Sequence, residues 1–389
     1  MNEKEMVISD LLYRSEVMDM GKSDSVIAPA QLRWFGKYAS FQFGPEAVWA
    51  DVAGSVPLPL NLHAFRQVCA KLGAAVWTGK GRASQQAAQR SLPVDFLLAM
   101  PDEITEKNMN WATETYASAF PKRKWLVREY ESEPQEGVST RNIRAVVDGL
   151  YPAISNTELL YKASEMIAGG EHKLVRPHLT PDEMNVRIAL RNVGENYAVG
   201  VYIGNSEIGT SKIRILPFIQ RHSCTNSIVS VDGGMELVHR GDIHALRVQA
   251  IAAMAQSLHA TGEMLEKMVE AEKELVPNFQ AVLRGLSLQY NWTEEMSSAV
   301  TLGTEGQATR AGVVNGVTYA AHKILTGTAQ ADMEILGGAI LVANNSLFAR
   351  AARISERTNE RDMSALRRRR SIGSDPVTVY VKIEEGLED

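Results

Sequence analysis

The sequence predicts an α+β protein in which an antiparallel β-meander packs against a long helix, with additional helices around it. Three observations carry this expectation. Residues 186–215 hold three runs of alternating apolar and polar side chains joined by glycine-bearing loops. From about Asp242 to Leu275, a stretch rich in alanine and then in glutamate and lysine runs on until Pro277. The 389 residues are 45% hydrophobic and 22% charged, a composition that buries a large core.

The elements follow in order. Tyr38–Phe43 is strand-like, and Asn61-Leu62-His63 opens a helix through Phe65, Val68 and Leu72 that stops at Gly73. Ser84–Arg90 has no apolar stripe and suits a surface helix or a loop. Leu92–Leu98 reads as a short helix with proline in its first turn, and Asn108–Phe120 as a second. Lys124–Tyr130 and Ile143–Val147 read as strands, and Asn156–Ile167 as a helix capped by Asn156 and ended by Gly169-Gly170. After the long helix, Gly303–Gly316 reads as a loop and Val317–Leu325 and Met333–Ile354 as helices. Ser355–Arg370 is a charged, solvated stretch, Val377–Ile383 a late strand and Glu384–Asp389 an acidic tail. The expected division is an N-terminal α/β region over 1–90, a main domain over 91–354 and a charged segment over 355–389.

Bulk properties narrow the classes. No apolar run is long enough to cross a bilayer, and Met1-Asn2-Glu3-Lys4-Glu5 lacks the character of a secretory signal. Cys69 and Cys224 make no disulfide framework, so free thiols in a reducing cytoplasm are expected. A net charge of −5 excludes a general polycation, so nucleic-acid binding requires local basic patches.

Several blocks together carry a resemblance. They are Leu92–Pro101, Trp125-Leu126-Val127-Arg128, Arg144–Tyr151 with Ile154-Ser155-Asn156, Asn205–Gly209 with Leu216-Pro217-Phe218 and Cys224-Thr225-Asn226, and Val313–Thr318. In this order and spacing they resemble a phage- and plasmid-borne family catalogued as a domain of unknown function, from about residue 90 to 350. The family usually has glycine after Cys-Thr-Asn, where this chain has Ser227. The resemblance implies a mobile-element context and supplies no reaction. A meander followed by a long helix is also similar in architecture to Rad52-type annealing proteins.

The meander gives the physical lead to function. If Ile188, Val201 and Ile213 face the core, period-2 geometry sets Arg187, Arg191, Tyr202, Lys212 and Arg214 on the opposite face. Guanidinium groups beside an aromatic ring suit a single strand, whose phosphates they attract and whose bases the ring stacks. The same residues also suit the ordinary wet face of a half-buried sheet. Lys122-Arg123-Lys124 with Arg128 is a second basic cluster fit to track phosphates, or a charged turn entering a strand. Arg367–Arg370 is the densest positive run.

Enzymatic patterns are poorer. His222, Cys224 and Asn226 are too close in sequence to converge as a nucleophile and its helpers. His239, Asp242 and His244 fit no standard metal spacing, and Arg240-Gly241-Asp242 reads as a turn before a helix. Gly303-Thr304-Glu305-Gly306 lacks the lysine and hydroxyl of a P-loop. The expectation is a non-enzymatic phage or plasmid protein, without cofactor or metal, that binds single-stranded DNA as a homo-oligomer and promotes annealing in recombination or replication. The alternative is a phage interaction or structural component that binds no nucleic acid.

Overall fold

The computed structural model describes residues 7–40, 44–52, 58–78, 92, 94–132, 141–167, 170–222 and 226–371. Ser84–Arg90, Cys224, the late strand, the acidic tail and the side chains of Arg367–Arg370 lie outside the description. In chain order the elements are α1 (Ile8–Met20), β1 (Lys22–Ile27), β2 (Leu32–Ser40), β3 (Gly44–Val52), β4 (Leu58–Pro59), α2 (Leu62–Thr78), α3 (Val94–Ala99) and α4 (Asp102–Ala119). Then come β5 (Trp125–Glu131), β6 (Arg141–Asp148), α5 (Asn156–Met166), β7 (Lys173–Leu179), β8 (Glu183–Val193), β9 (Tyr197–Ser206), β10 (Ile213–Arg221), β11 (Ser227–Val229) and β12 (Met235–Leu237). The chain continues through α6 (Ile243–Ala271), α7 (Phe279–Gln289), α8 (Glu294–Gly303), α9 (Arg310–Ile324), α10 (Gly327–Val342) and α11 (Ser346–Ser371).

The α+β expectation holds, whereas the expected division does not. Two compact units form, Met1–Phe218 with Gly233–Thr261, and Ile219–Asp232 with Gly262–Asp389. Residue 90 is no boundary, because β1 pairs with β5 from Lys22↔Tyr130 to Ile27↔Trp125. Phe65, Val68 and Leu72 of α2 share one core with Met109, Trp125 and Val146. Residue 354 is no boundary either, since α11 runs through it.

In the first unit, β7, β8, β9 and β10 lie side by side, with β12 pairing to β10. Alternation puts Val186, Ile188, Val201, Ile203, Ile213 and Ile215 on one face. Leu246, Ala250, Ala253 and Met254 of α6 cover that face together with Leu159 and Leu160 of α5. Each such aliphatic side chain contributes about 1.5–3 kcal/mol on burial. Ser257 of α6 donates to the Ile215 carbonyl (3.0 Å), fixing helix to strand. A smaller sheet, β1-β5-β6, carries α2 on β6, and β2-β3-β4 forms a third.

Several local expectations change. The cap of α5 is Ser155, whose Oγ accepts from the Glu158 amide (3.1 Å); Asn156 lies inside the first turn. The helix expected to stop at Gly73 continues to Thr78. Gly303–Gly316 is mostly helix in the second unit, where a Cβ on Gly316 would stand 2.4 Å from the Val300 carbonyl. Gly303 and Gly316 therefore mark the close crossing of α8 and α9, while Gly306, at φ +74°, sits in the turn that joins them as a loop glycine would. Met333–Ile354 divides into α10 and α11, and Arg310 holds the break. Its Nη1 donates to the carbonyls of Ile340 (2.7 Å) and Ala343 (2.6 Å), and Nε and Nη2 clasp Glu274 at 2.6 and 2.8 Å. The buried guanidinium thus serves carbonyls that the end of α10 leaves over. Among the described residues, no single helix is long and apolar enough to cross a membrane.

Candidate functional site

The expected nucleic-acid face is not one wet surface. Ile188, Val201 and Ile213 do face the core, yet Arg187 and Tyr202 opposite them are buried, at 1% and 0% exposure. They are cross-strand partners, with the guanidinium carbon 5.4 Å from the ring centroid. The Tyr202 hydroxyl donates to Asn185 Oδ1 (2.5 Å), so this ring cannot stack on a base. Arg191 is exposed, but a bulge between Ala189 and Arg191 sets it opposite Val199, on the Ile188 side. Lys212 and Arg214 both reach Glu236 of β12, at 2.7 and 2.9 Å. Between them they hold that carboxyl below its ordinary range against the opposing effect of burial, the largest single influence on it. Lys122, Arg123 and Lys124 are exposed, whereas Arg128 is buried.

Arg128 belongs to a charge cluster around Glu207, which is wholly buried. Glu207 Oε1 accepts from Lys22 Nζ (2.8 Å) and from the Asn156 amide at the start of α5 (2.8 Å). Oε2 accepts from Arg144 Nη2 (3.1 Å), and Arg128 lies 3.8 Å away. Arg128 Nη1 donates to the Glu207 carbonyl while its Nε binds Asp24 (2.9 Å). Arg144 Nη1 donates to the Pro181 carbonyl (2.5 Å) and faces Asp182 at 3.6 Å. Asn205 Nδ2 donates to Asn156 Oδ1 (2.9 Å) and to the Ile154 carbonyl (2.9 Å), tying β9 to α5.

Three stretches far apart in sequence therefore converge in space, with Arg128, Arg144 and Asn156 meeting at the Glu207 carboxylate. None of Arg144, Asn156 and Glu207 was singled out as a site residue. The signal was present, because an arginine inside the apolar run Ile143–Val147 must be paired in the interior. In the second unit, Asn226 Nδ2 donates to the Asn315 carbonyl (3.3 Å) and the Ser227 amide to His322 Nε2 (3.2 Å).

Above the Glu207 cluster lies a cleft of about 830 Å³. Four segments line it: α2 with Lys71, the turn after β6 with Asp148, Leu150 and Tyr151, the Gly209–Lys212 loop, and His239-Arg240-Gly241 ahead of α6. Tyr151 spans cluster and cleft, since its hydroxyl donates to the Ser206 carbonyl (3.1 Å) and its ring stacks on His239 with centroids 5.0 Å apart. Gly209 has φ +78°, which bends the loop toward Tyr151. His239 Nδ1 faces the Pro152 carbonyl (3.2 Å), so the ring carries its proton there. Asp242 Oδ1 accepts from the Ala245 amide (2.9 Å) and starts α6, so Arg240-Gly241-Asp242 is the expected turn.

Charge in the cleft is mostly positive. Lys71, Lys212 and Arg240 face Asp148, which is paired with Arg123 at 3.3 Å. Burial governs the titrating groups here: it pushes the Tyr151 phenol up and the Lys71 ammonium and both His63 and His239 down. It also raises the Asp182 carboxyl despite Arg144 beside it. Such clustering of perturbed groups marks candidate sites. Elsewhere, burial pushes the Cys69 thiol up to about 12, so it is inert as a nucleophile. Among the described residues no group of three or more His, Cys, Asp or Glu side chains is placed to hold a metal. The chain matches no protein-family model, no curated protein and no solved structure.

Proposed function

We propose that the protein binds single-stranded DNA, in a phage or plasmid context, through the basic cleft of the first unit rather than through the meander face. One observation carries this reading: three cations, Lys71, Lys212 and Arg240, line one cleft with the stacked Tyr151–His239 pair. Cations attract phosphates, and the rim residue Leu150, 88% exposed, offers apolar surface to a base. The exposed Lys122-Arg123-Lys124 turn extends the basic surface, for the Gly149 amide beside the cleft donates to the Lys124 carbonyl (2.9 Å). Strand annealing by a homo-oligomer is the activity this binding would serve.

The test is fluorescence anisotropy with labelled single-stranded and duplex DNA across a salt series. Single-strand preference is expected, with the slope of log affinity against log salt falling by about 0.7 for each of Lys212→Gln and Arg240→Gln. A folded protein that binds neither DNA at low salt overturns the reading and favours a protein partner.

A further inference from the structure

Lys71 differs from Lys212, the other lysine of the cleft, and from its neighbour Arg123. Lys212 is paired with Glu236, and the exposed Arg123 is paired with Asp148. Lys71 lines the same cleft, forms no ion pair among the described residues, and has Arg123 as a cationic neighbour. An amine withdrawn from water beside a positive charge, with no carboxylate in contact, holds its proton less firmly than a surface lysine. Burial indeed lowers its proton affinity more than Asp148 restores it. Around it stand the groups a phosphate seeks, Lys212, Arg240 and the hydroxyls of Thr210 and Ser211.

From this placement we infer that Lys71 is a reactive amine that forms a Schiff base with a ligand carrying both a phosphate and an aldehyde or ketone. Lys212 and Arg240 hold the phosphate while the carbonyl carbon meets the Lys71 nitrogen. The lone pair of the neutral amine attacks that carbon to give a carbinolamine. Loss of the carbinolamine oxygen as water, with a proton from nitrogen, then leaves the imine. No oxidant or reductant enters. Two sources supply this chemistry: a small phosphorylated carbonyl compound, or the ring-opened sugar of an abasic site in a DNA strand. The second source rests on the single-strand reading, and the first does not.

The experiment treats the full chain with pyridoxal 5′-phosphate, fixes imines with borohydride, and maps labelled lysines by mass spectrometry. A second arm incubates it with a single-stranded oligonucleotide holding one abasic site, in the presence of cyanoborohydride. Lys71 is expected to label about tenfold faster than the exposed Lys122 and Lys124, in keeping with its weaker hold on its proton. Inorganic phosphate should slow that labelling. Lys71→Arg should abolish the adduct and the cross-link while melting at the parental temperature. Lys71 labelling no faster than Lys122 and Lys124 overturns the inference, and so does a cross-link that survives Lys71→Arg. Labelling of Lys71 without any strand binding supports the inference for the small-molecule source and overturns only the single-strand reading.

Discussion

Replacing Glu207 by glutamine removes one charge from the interior while keeping the side chain's shape. Lys22 retains Asp19 at 2.5 Å, and Arg128 retains Asp24 at 2.9 Å. Arg144 is left worst off: it is 1% exposed, and its nearest remaining carboxylate oxygen is Asp182 at 3.6 Å. Stranding one partner of a buried pair costs about 3–5 kcal/mol. Against a typical folding stability of about 5–15 kcal/mol, that is roughly a third of the total. The assay is urea unfolding followed by tryptophan emission, with Trp292 of the second unit replaced by phenylalanine so that the signal comes from the first unit, where Trp34 and Trp125 are buried. Removing both partners, Glu207→Gln with Arg144→Met, should cost less than the sum of the single changes by about 1–3 kcal/mol. A single-variant loss below about 1 kcal/mol, or strict additivity, would refute the view that this carboxylate neutralises the interior arginines.

The second unit offers three further predictions. Arg310→Met should destabilise it by about 3 kcal/mol, chiefly by leaving the carbonyls at the end of α10 unserved, since Glu274 is partly in water and its pair is screened. The same ion pair gives a pH signature, because Arg310 holds the Glu274 carboxyl below its ordinary value. A depressed carboxyl contributes fully above an unfolded pKa of about 4.3 and loses that contribution as pH falls through the folded value. Melting temperature should therefore fall less steeply on acidification in Arg310→Met than in the parent. Gly285→Ala puts a Cβ 1.8 Å from the Ala351 carbonyl and forces α7 from α11. A loss of at least about 3 kcal/mol is expected in thermal melting, and an unchanged melting temperature would count against that close crossing.

Much of this architecture was legible because it follows from periodicity. The alternation around Val201 and Ile213 located the meander, and the unbroken run after Asp242 located α6. Face assignment also succeeded for Ile188, Val201 and Ile213, but alternation says which side a residue takes, not whether water reaches that side. Arg187 and Tyr202 resemble any solvent-facing pair in sequence, and burial is decided by what lies over the sheet. Arg191 failed for another reason, because one extra residue at a bulge reverses every later parity. The cleft was illegible because Lys71, Tyr151, Lys212 and Arg240 come from segments far apart in the chain. Gly303 and Gly316 misled because glycine serves both turns, as Gly306 does, and close helix crossings, and only the neighbouring helix reveals which.

The chain's path carries a consequence for synthesis. It enters the second unit at Ile219, returns to the first at Gly233, and leaves again after Thr261. During translation the first unit therefore cannot be completed when its sheet strands β7–β10 emerge, because β12 and the first turns of α6 are still to come. Its apolar face, Val186 through Ile215, has α5 over it but waits for α6 for about 45 further residues, several seconds at ordinary elongation rates of about 5–20 residues per second. A nascent chain of this kind is a natural client of ribosome-associated chaperones. For the same reason, a truncation ending near Phe218 would leave the part of that face under α6 bare permanently, so dissection by simple C-terminal cuts should yield aggregates rather than a working first unit.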